Sequence, residues 1–217
     1  MNSLHTLPEV GPGVAPVAER RISIGLAVVF LAGFVAMMAT STDREPDADP
    51  AKIIASYETT LGAVRIESYV LMALCAVLVF LGTSIRSRLS AVGHRWAADA
   101  ALVGFGLMAF TYASFGVTTL ALRHAVDLGD TSVVSAANLA DTSNFLPAMA
   151  AMACIYIGVG VSALGSGALP RWLSWASIVL GVLAPLGPGG FAPFVLLPGW
   201  LLLVAVLLPG DADAKGR

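Results

Sequence analysis

Two carboxylic acids, Glu67 and Asp141, are the residues of this sequence best suited to chemistry, because both adjoin long uncharged stretches. Ionisable groups inside a membrane are costly to place there, and they commonly mark a functional site. A carboxyl group in apolar surroundings favours its neutral form, which can donate a proton to a lipophilic molecule. A second carboxylate can accept a proton. The pair therefore predicts acid–base catalysis with Glu67 as the proton donor.

Five further residues are candidates for lining a ligand pocket beside this pair: Tyr69, Tyr112, Asn144, Tyr156 and Trp200. Tyr112, Tyr156 and Trp200 fall deep inside apolar runs, where a hydroxyl or an indole N–H needs a partner and a ring face can stabilise a cation. Each candidate also has a structural interpretation. The rings could be core packing, Asp141 could cap a helix, and Glu67 could reach interfacial water.

The elements that position these residues are membrane-spanning helices. Of the 217 residues, 57% are hydrophobic and only 12% are charged, about half the charge of an average soluble domain. Uncharged runs of about 20 residues predict crossings. The final run of 39 uncharged residues is too long for one crossing, and the Pro- and Gly-rich segment 185–190 divides it. The predicted fold is an all-α bundle with six spans, at about 22–40, 62–85, 98–122, 143–165, 172–186 and 191–208.

Charge placement predicts the orientation of this single domain, residues 20–210. With both termini in the cytoplasm, inner segments carry eight Lys or Arg residues and outer segments carry four, as the positive-inside rule requires. Residues 1–19 and 211–217 are then cytoplasmic tails, the first of them flexible. A five-span alternative would place Lys215 and Arg217 outside. The outer connections, residues 41–50 and 123–141, are acidic.

Two local patterns predict finer features. Asp49-Pro50 is typical of a helix start, with Asp as the cap and Pro at the first helical position. The second helix is therefore expected to begin outside the membrane and to run without a break to about Arg86. Span four carries small residues at intervals of four, which predicts the seam where helices approach closely. These residues are Ala150, Cys154, Gly158, Ser162 and Ser166.

The stretches Asp49–Leu89 and Gly165–Trp175 (GSGALPRWLSW) resemble parts of multipass membrane proteins of unknown function that are abundant in actinobacteria. In those proteins a short extracytoplasmic helix leads into a span that ends in an Arg-rich inner loop. The resemblance implies a six-helix fold in a bacterial plasma membrane. It brings no activity and no functional residues.

Several function classes are disfavoured. A net charge of −2 provides no basic surface for nucleic acid. The three histidines and two cysteines are scattered, so neither a metal nor another cofactor is predicted. The expected partners are membrane lipid and a lipophilic, isoprenoid-like small molecule that the acid pair would cyclise or isomerise. Two alternatives remain open: a non-catalytic accessory, sensor or lipid-binding protein, and a small transporter.

Overall fold

A computed structural model of the protein describes residues 16–40 and 48–209, and helices account for nearly all of them. The helices are α1 (Pro16–Thr40), α2 (Pro50–Val92), α3 (Arg95–Leu128), α4 (Thr131–Ser143), α5 (Phe145–Ser166), α6 (Arg171–Leu183) and α7 (Phe191–Leu207). A short 3₁₀ turn, Gly187–Gly190, precedes α7. The predicted tails 1–15 and 211–217 lie outside the described residues. Residues 16–19, assigned to the first tail, are helical instead, and Pro16 opens the helix.

The chain is a helical membrane protein. Four stretches are long and apolar enough to cross a bilayer: Glu19–Ala39, Ile66–Ala91, Arg95–Leu128 and Thr131–Ser166, which combines α4 and α5. The helices α6 and α7 are apolar but shorter. Each long helix packs on its neighbour in the chain, and the last helix closes the bundle by packing against α1.

Helix α2 begins at Pro50 with Asp49 as its N-cap, as the Asp49-Pro50 pattern predicts. The Asp49 carboxylate accepts a hydrogen bond from the Ala51 amide, and Pro50 opens the helix. Pro has no N–H to satisfy at the first helical position, so it suits the start of a helix. From there α2 continues for 43 residues to Val92, as one uninterrupted helix.

Small residues bring α3 and α5 into close contact. A Cβ atom placed on Gly158 of α5 would lie 2.7 Å from the Ala97 carbonyl oxygen and the Ala101 nitrogen of α3. One turn away, a Cβ on Gly104 would lie 2.8 Å from the Cβ of Cys154. The predicted seam is present where Gly158 and Ser162 are buried, whereas Ala150 of the same stripe is exposed.

Helices α6 and α7 occupy the predicted final pair, separated at Pro185–Gly190. They do not form the tight hairpin expected from the turn, because α6 packs mainly on α5 and α7 mainly on α1. The 3₁₀ turn allows this divergence, since Gly187 adopts a φ of +61° that a residue with a side chain rarely takes.

Two arginines hold the end of α7. Arg88 of α2 is only 1% exposed, and its guanidinium donates to the carbonyl oxygens of Ala205 (3.2 Å) and Leu208. Arg20 of α1 donates to the Val206 carbonyl over 2.8 Å. The last carbonyls of a helix have no partner within it, and cations favour that end of the helix dipole. We call this side of the bundle the arginine end.

At the opposite end, the connection over residues 123–141 is largely helical. Helix α3 continues to Leu128, and α4 follows after a turn at Gly129–Asp130. The α4 helix packs against residues 50–57 of α2 and 120–128 of α3, and we call these three segments the cap. A separate apolar cluster fills it, with Tyr57, Leu122 and Val134 fully buried.

A kink at Asn144 separates α4 from α5. Pro147 lies four residues after Ser143 and has no N–H to donate to the Ser143 carbonyl, which explains the interruption. Helix α5 therefore begins at Phe145. Asp141 lies inside α4. The interpretation of Asp141 as the residue that caps the next helix is therefore wrong.

Candidate functional site

A layer of polar side chains separates the apolar core of the bundle from that of the cap. Its members come from α2, α3, α4 and the kink between α4 and α5. All of them are buried or half-buried: Glu67, Ser114, Thr118, Thr119, Asn138, Asp141 and Asn144. We call this set the junction layer. It contains both carboxyl groups that the sequence predicts as catalytic, and one of the five predicted ligand-binding residues, Asn144.

A directed chain of hydrogen bonds crosses the layer and ends at Asp141. The Ser114 hydroxyl donates to Oδ1 of Asn144 over 3.0 Å, and Nδ2 of Asn144 donates to the Thr118 hydroxyl over 2.9 Å. The Thr118 hydroxyl donates in turn to Oδ1 of Asp141 over 2.6 Å, a distance typical of a hydroxyl bound to a carboxylate. Thr119 adds a longer contact of 3.3 Å to the same oxygen.

Glu67 belongs to α2, which packs against the same part of α3. Its side chain is 7% exposed, as is that of Asp141. The next residue, Ser68, packs against α3 so closely that a Cβ on Gly116 would lie 3.2 Å from the Ser68 carbonyl oxygen. Thr118 and Thr119, which bind Asp141, follow Gly116 within one turn of α3. The structure thus brings both predicted acids to one level of α3.

Tyr69 does not join this group. Its side chain is 71% exposed on the outer surface of α2, although Glu67, two residues earlier, faces inward. Residues i and i+2 of a helix point in directions about 200° apart, so the two side chains cannot line the same interior site. The assignment of Tyr69 to an interior pocket with Glu67 therefore does not fit the structure.

Tyr112 lies next to the junction layer, on the bundle side. It is fully buried, and within the described residues its hydroxyl has no hydrogen-bond partner. Its ring centroid is 5.8 Å from that of Phe30. Three more rings lie at this level of the bundle, where Phe194 is 5.2 Å from Phe34 and 5.5 Å from Phe145. We call these five rings, from α1, α3, α5 and α7, the aromatic cluster.

Tyr156 and Trp200 form a separate pair. Their ring centroids are 4.4 Å apart, which is close enough for direct ring contact. The Tyr156 hydroxyl donates to the Pro193 carbonyl over 2.8 Å, and Nε1 of Trp200 donates to the Ser177 hydroxyl over 2.9 Å. Both polar atoms are satisfied by the protein, so these two residues are packed together like other core side chains.

Four members of the junction layer were not predicted from the sequence: Ser114, Thr118, Thr119 and Asn138. One signal was available for Asn138, which lies three residues before Asp141 and so shares its face of a helix. The hydroxyls of α3 gave no such signal, because Ser and Thr are common on helices that cross membranes. Among the described side chains, no group of three His, Cys, Asp or Glu residues could hold a metal ion.

No protein-family model matches the chain, and no curated protein or solved structure is significantly similar to it.

Proposed function

We propose that the chain crosses a bacterial plasma membrane six times, with the arginine end in the cytoplasm, as the resemblance to multipass proteins also implies. Helix α6 has only 13 residues, about 20 Å at 1.5 Å per residue. The contact between Phe194 and Phe145 supports a full crossing, because it carries the start of α7 to the level where α5 begins. The cap then lies outside the cell.

Labelling of single cysteines tests this topology. With Cys75 and Cys154 replaced by Ala, Ser132→Cys in α4 should react with a membrane-impermeant maleimide in intact cells. Ser90→Cys at the arginine end should react only after the cells are opened. The reverse pattern would contradict the orientation. Equal labelling of Ser132→Cys and Pro209→Cys in intact cells would contradict six spans.

For the activity, we propose cofactor-independent acid–base catalysis on a lipophilic, isoprenoid-like small molecule. The observation that carries this proposal is the burial of two carboxyl groups, Glu67 and Asp141, at the level of α3 that follows Tyr112 of the aromatic cluster. Apolar rings suit a hydrocarbon substrate, and their faces stabilise a carbocation. Buried carboxyl groups supply and remove protons without any other reagent.

The two acids have different roles in this scheme. Glu67 gives its proton to a carbon–carbon double bond, whose π electrons form the new C–H bond and leave a carbocation. Asp141 then takes a proton from a neighbouring carbon, and the electrons of that C–H bond form a new double bond. Cyclisation can occur between these steps. The proton returns from Asp141 to Glu67, so no electron or atom is gained overall. Thr118 and Thr119 hold the Asp141 carboxylate in place.

Lipid profiles of cells that produce matched variants test the activity. A lipophilic product that appears with the wild-type protein should fall at least about 100-fold with Glu67→Gln and with Asp141→Asn, in line with the usual contribution of a general acid or base. Asp127→Asn is the control, because that carboxylate lies exposed in the cap and pairs with Arg123 one turn away. Equal product from all three variants, or no product that depends on the protein, would contradict the proposal.

A non-catalytic membrane protein is the second candidate, and the Tyr156–Trp200 pair favours it. Two of the residues predicted to line a pocket are packed against each other with their polar atoms satisfied. In that case the junction layer only fastens the cap to the bundle. Glu67→Gln and Asp141→Asn would then change the stability of the cap and leave the lipid profile as it is.

A further inference from the structure

A cleft at the arginine end, opposite the junction layer, is lined by side chains suited to an anion. It has a volume of about 320 Å³ and lies where α2 ends and α3 begins. Its lining residues are Arg86, Ser87, Ser90, Ala91 and Arg95. Small-molecule sites have volumes of about 300–1,000 Å³, so the cleft has room for a small charged group.

The charges in this cleft are only partly balanced within the protein. Arg86 binds Asp99, with Nε and Nη2 both 2.8 Å from the same carboxylate oxygen. Its guanidinium has five N–H donors, so the contacts with this one oxygen leave other donors available for a ligand. Arg95 has no hydrogen bond or ion pair to another described residue. The N-cap residue His94 makes no side-chain hydrogen bond to the start of α3, next to Arg95.

The surroundings place the cleft at the depth of lipid headgroups. Trp96, next to Arg95, is 66% exposed, and Trp172 and Trp175 are also exposed at this end. Tryptophan is enriched at the boundary between lipid tails and headgroups, where its ring is apolar and its N–H reaches polar groups. Among the described residues this end carries six arginines against two acids, Glu19 and Asp99. This excess of positive charge suits an anion, and the exposed tryptophans favour a membrane anion over an anionic protein surface.

We infer that this cleft binds the phosphate group of an anionic phospholipid, with Arg86 and Arg95 as its ligands and the Ser87 and Ser90 hydroxyls as further donors. Arginine binds phosphate oxygens through two parallel N–H donors, which gives direction as well as charge. Basic pockets between transmembrane helices on the cytoplasmic side are known to bind such headgroups. The acyl chains would run along the exposed apolar surface of α3 next to Trp96. The inference depends on none of the chemistry proposed for the junction layer.

Thermal unfolding of the full chain in detergent measures binding at this site. Added phosphatidylglycerol should raise the unfolding temperature, whereas phosphatidylcholine should not. Arg95→Gln should weaken the apparent affinity for phosphatidylglycerol about fivefold, which corresponds to about 1 kcal/mol for one arginine at an anionic surface. Arg171→Gln is the matched control, since Arg171 is an exposed arginine at the same end and does not line the cleft.

A second variant separates lipid binding from a purely structural role of the arginines. Asp99→Asn removes the carboxylate that competes for Arg86, so it should strengthen phosphatidylglycerol binding while it breaks an ion pair of the protein. A merely structural ion pair would give weaker or unchanged binding. Equal weakening by Arg95→Gln and Arg171→Gln would also overturn the inference. So would stabilisation by inorganic phosphate alone without any effect of phosphatidylglycerol, because it would mean that the site takes free phosphate.

Discussion

In the bundle, α3 and α5 approach until backbone meets backbone at Gly158, whereas in the cap the helices are held apart by Tyr57, Leu122 and Val134. The difference follows from the solvent. Lipid tails are as apolar as the side chains they would displace, so the bundle gains stability from close packing and hydrogen bonds. In the proposed orientation water surrounds the cap, and apolar burial stabilises it in the ordinary way.

Helix ends show the same contrast. In the cap, the short side chains of Asp49 and Asp130 bind the first amides of their own helices. In the bundle, the last carbonyls of α7 are satisfied by Arg20 and Arg88, which belong to other helices. Local caps stabilise one helix each, whereas the arginines join three helices. We therefore expect bundle variants to unfold the whole chain and cap variants to loosen only the cap.

The largest effect is expected for Arg88→Leu. This change leaves the buried carbonyls of Ala205 and Leu208 without their charged donor. Hydrogen bonds to charged groups contribute about 1.5–3 kcal/mol each, so the loss should be about 3 kcal/mol or more. Thermal unfolding in detergent checks it, with Arg171→Leu as the control at an exposed position. Faster hydrogen exchange confined to α7 would contradict cooperative unfolding of the bundle.

Gly158→Ala should come next, with a loss of about 1–3 kcal/mol, as is usual when a group is inserted into a packed core. The added Cβ would meet backbone atoms of α3, which cannot move aside as a flexible side chain could. Gly106→Ala is the matched control, because nothing lies within 4 Å of a Cβ on Gly106. There the better helix propensity of Ala should leave stability unchanged or raised. Equal unfolding temperatures for the two variants would contradict the tight seam.

A smaller and local effect is expected for Thr118→Val, which keeps the shape of the side chain and removes its hydroxyl. Asp141 and Asn144 then lose a partner, at a cost of about 1–3 kcal/mol for a buried polar group. Hydrogen exchange should become faster in α4 and stay unchanged in the α3–α5 seam. Thr83→Val is the control, since that hydroxyl binds only the Val79 carbonyl of its own helix. Faster exchange throughout the bundle would mean that cap and bundle unfold together.

The smallest effect concerns pH. Hydrogen bonds from the Ser132 hydroxyl, then from the Ser132 and Val133 amides, lower the pKa of Asp130 below its ordinary value of 3.8. The hydrogen bonds of the Asp130 carboxylate therefore contribute their full stability above pH 3.8, and this contribution disappears as the pH falls through the lowered pKa. Hydrogen exchange at the start of α4 should rise in that range. Asp130→Asn, which caps without titrating, should remove the pH dependence of this segment.

Features specified by neighbouring residues could be predicted from the sequence, and contacts between distant residues could not. Asp49-Pro50 marks the start of α2 because the cap and its amide partner are two residues apart. Arg88 looked like an ordinary inner-loop cation, because its carbonyl partners on α7 are more than 110 residues away. Only the folded chain shows that this charge is buried.

Helix α4 illustrates a different limit. Its buried face is Val134, Asn138 and Asp141, at helical spacing but with two polar members. An apolar stripe is the usual sign of a packed helix, so a face that packs through hydrogen bonds escapes it. The carboxyls of the candidate site were predicted, and their hydroxyl partners were not. Tyr69 could have been excluded from the sequence alone, given its two-residue separation from the inward-facing Glu67.

The single helix α2 belongs to both regions. Its 43 residues make a rod about 64 Å long, roughly twice the thickness of the hydrocarbon layer. The rod has no proline after Pro50 at which to bend. One continuous helix therefore carries both Tyr57 in the cap and Arg88 at the arginine end, so a single run of backbone hydrogen bonds connects the two extremes of the molecule.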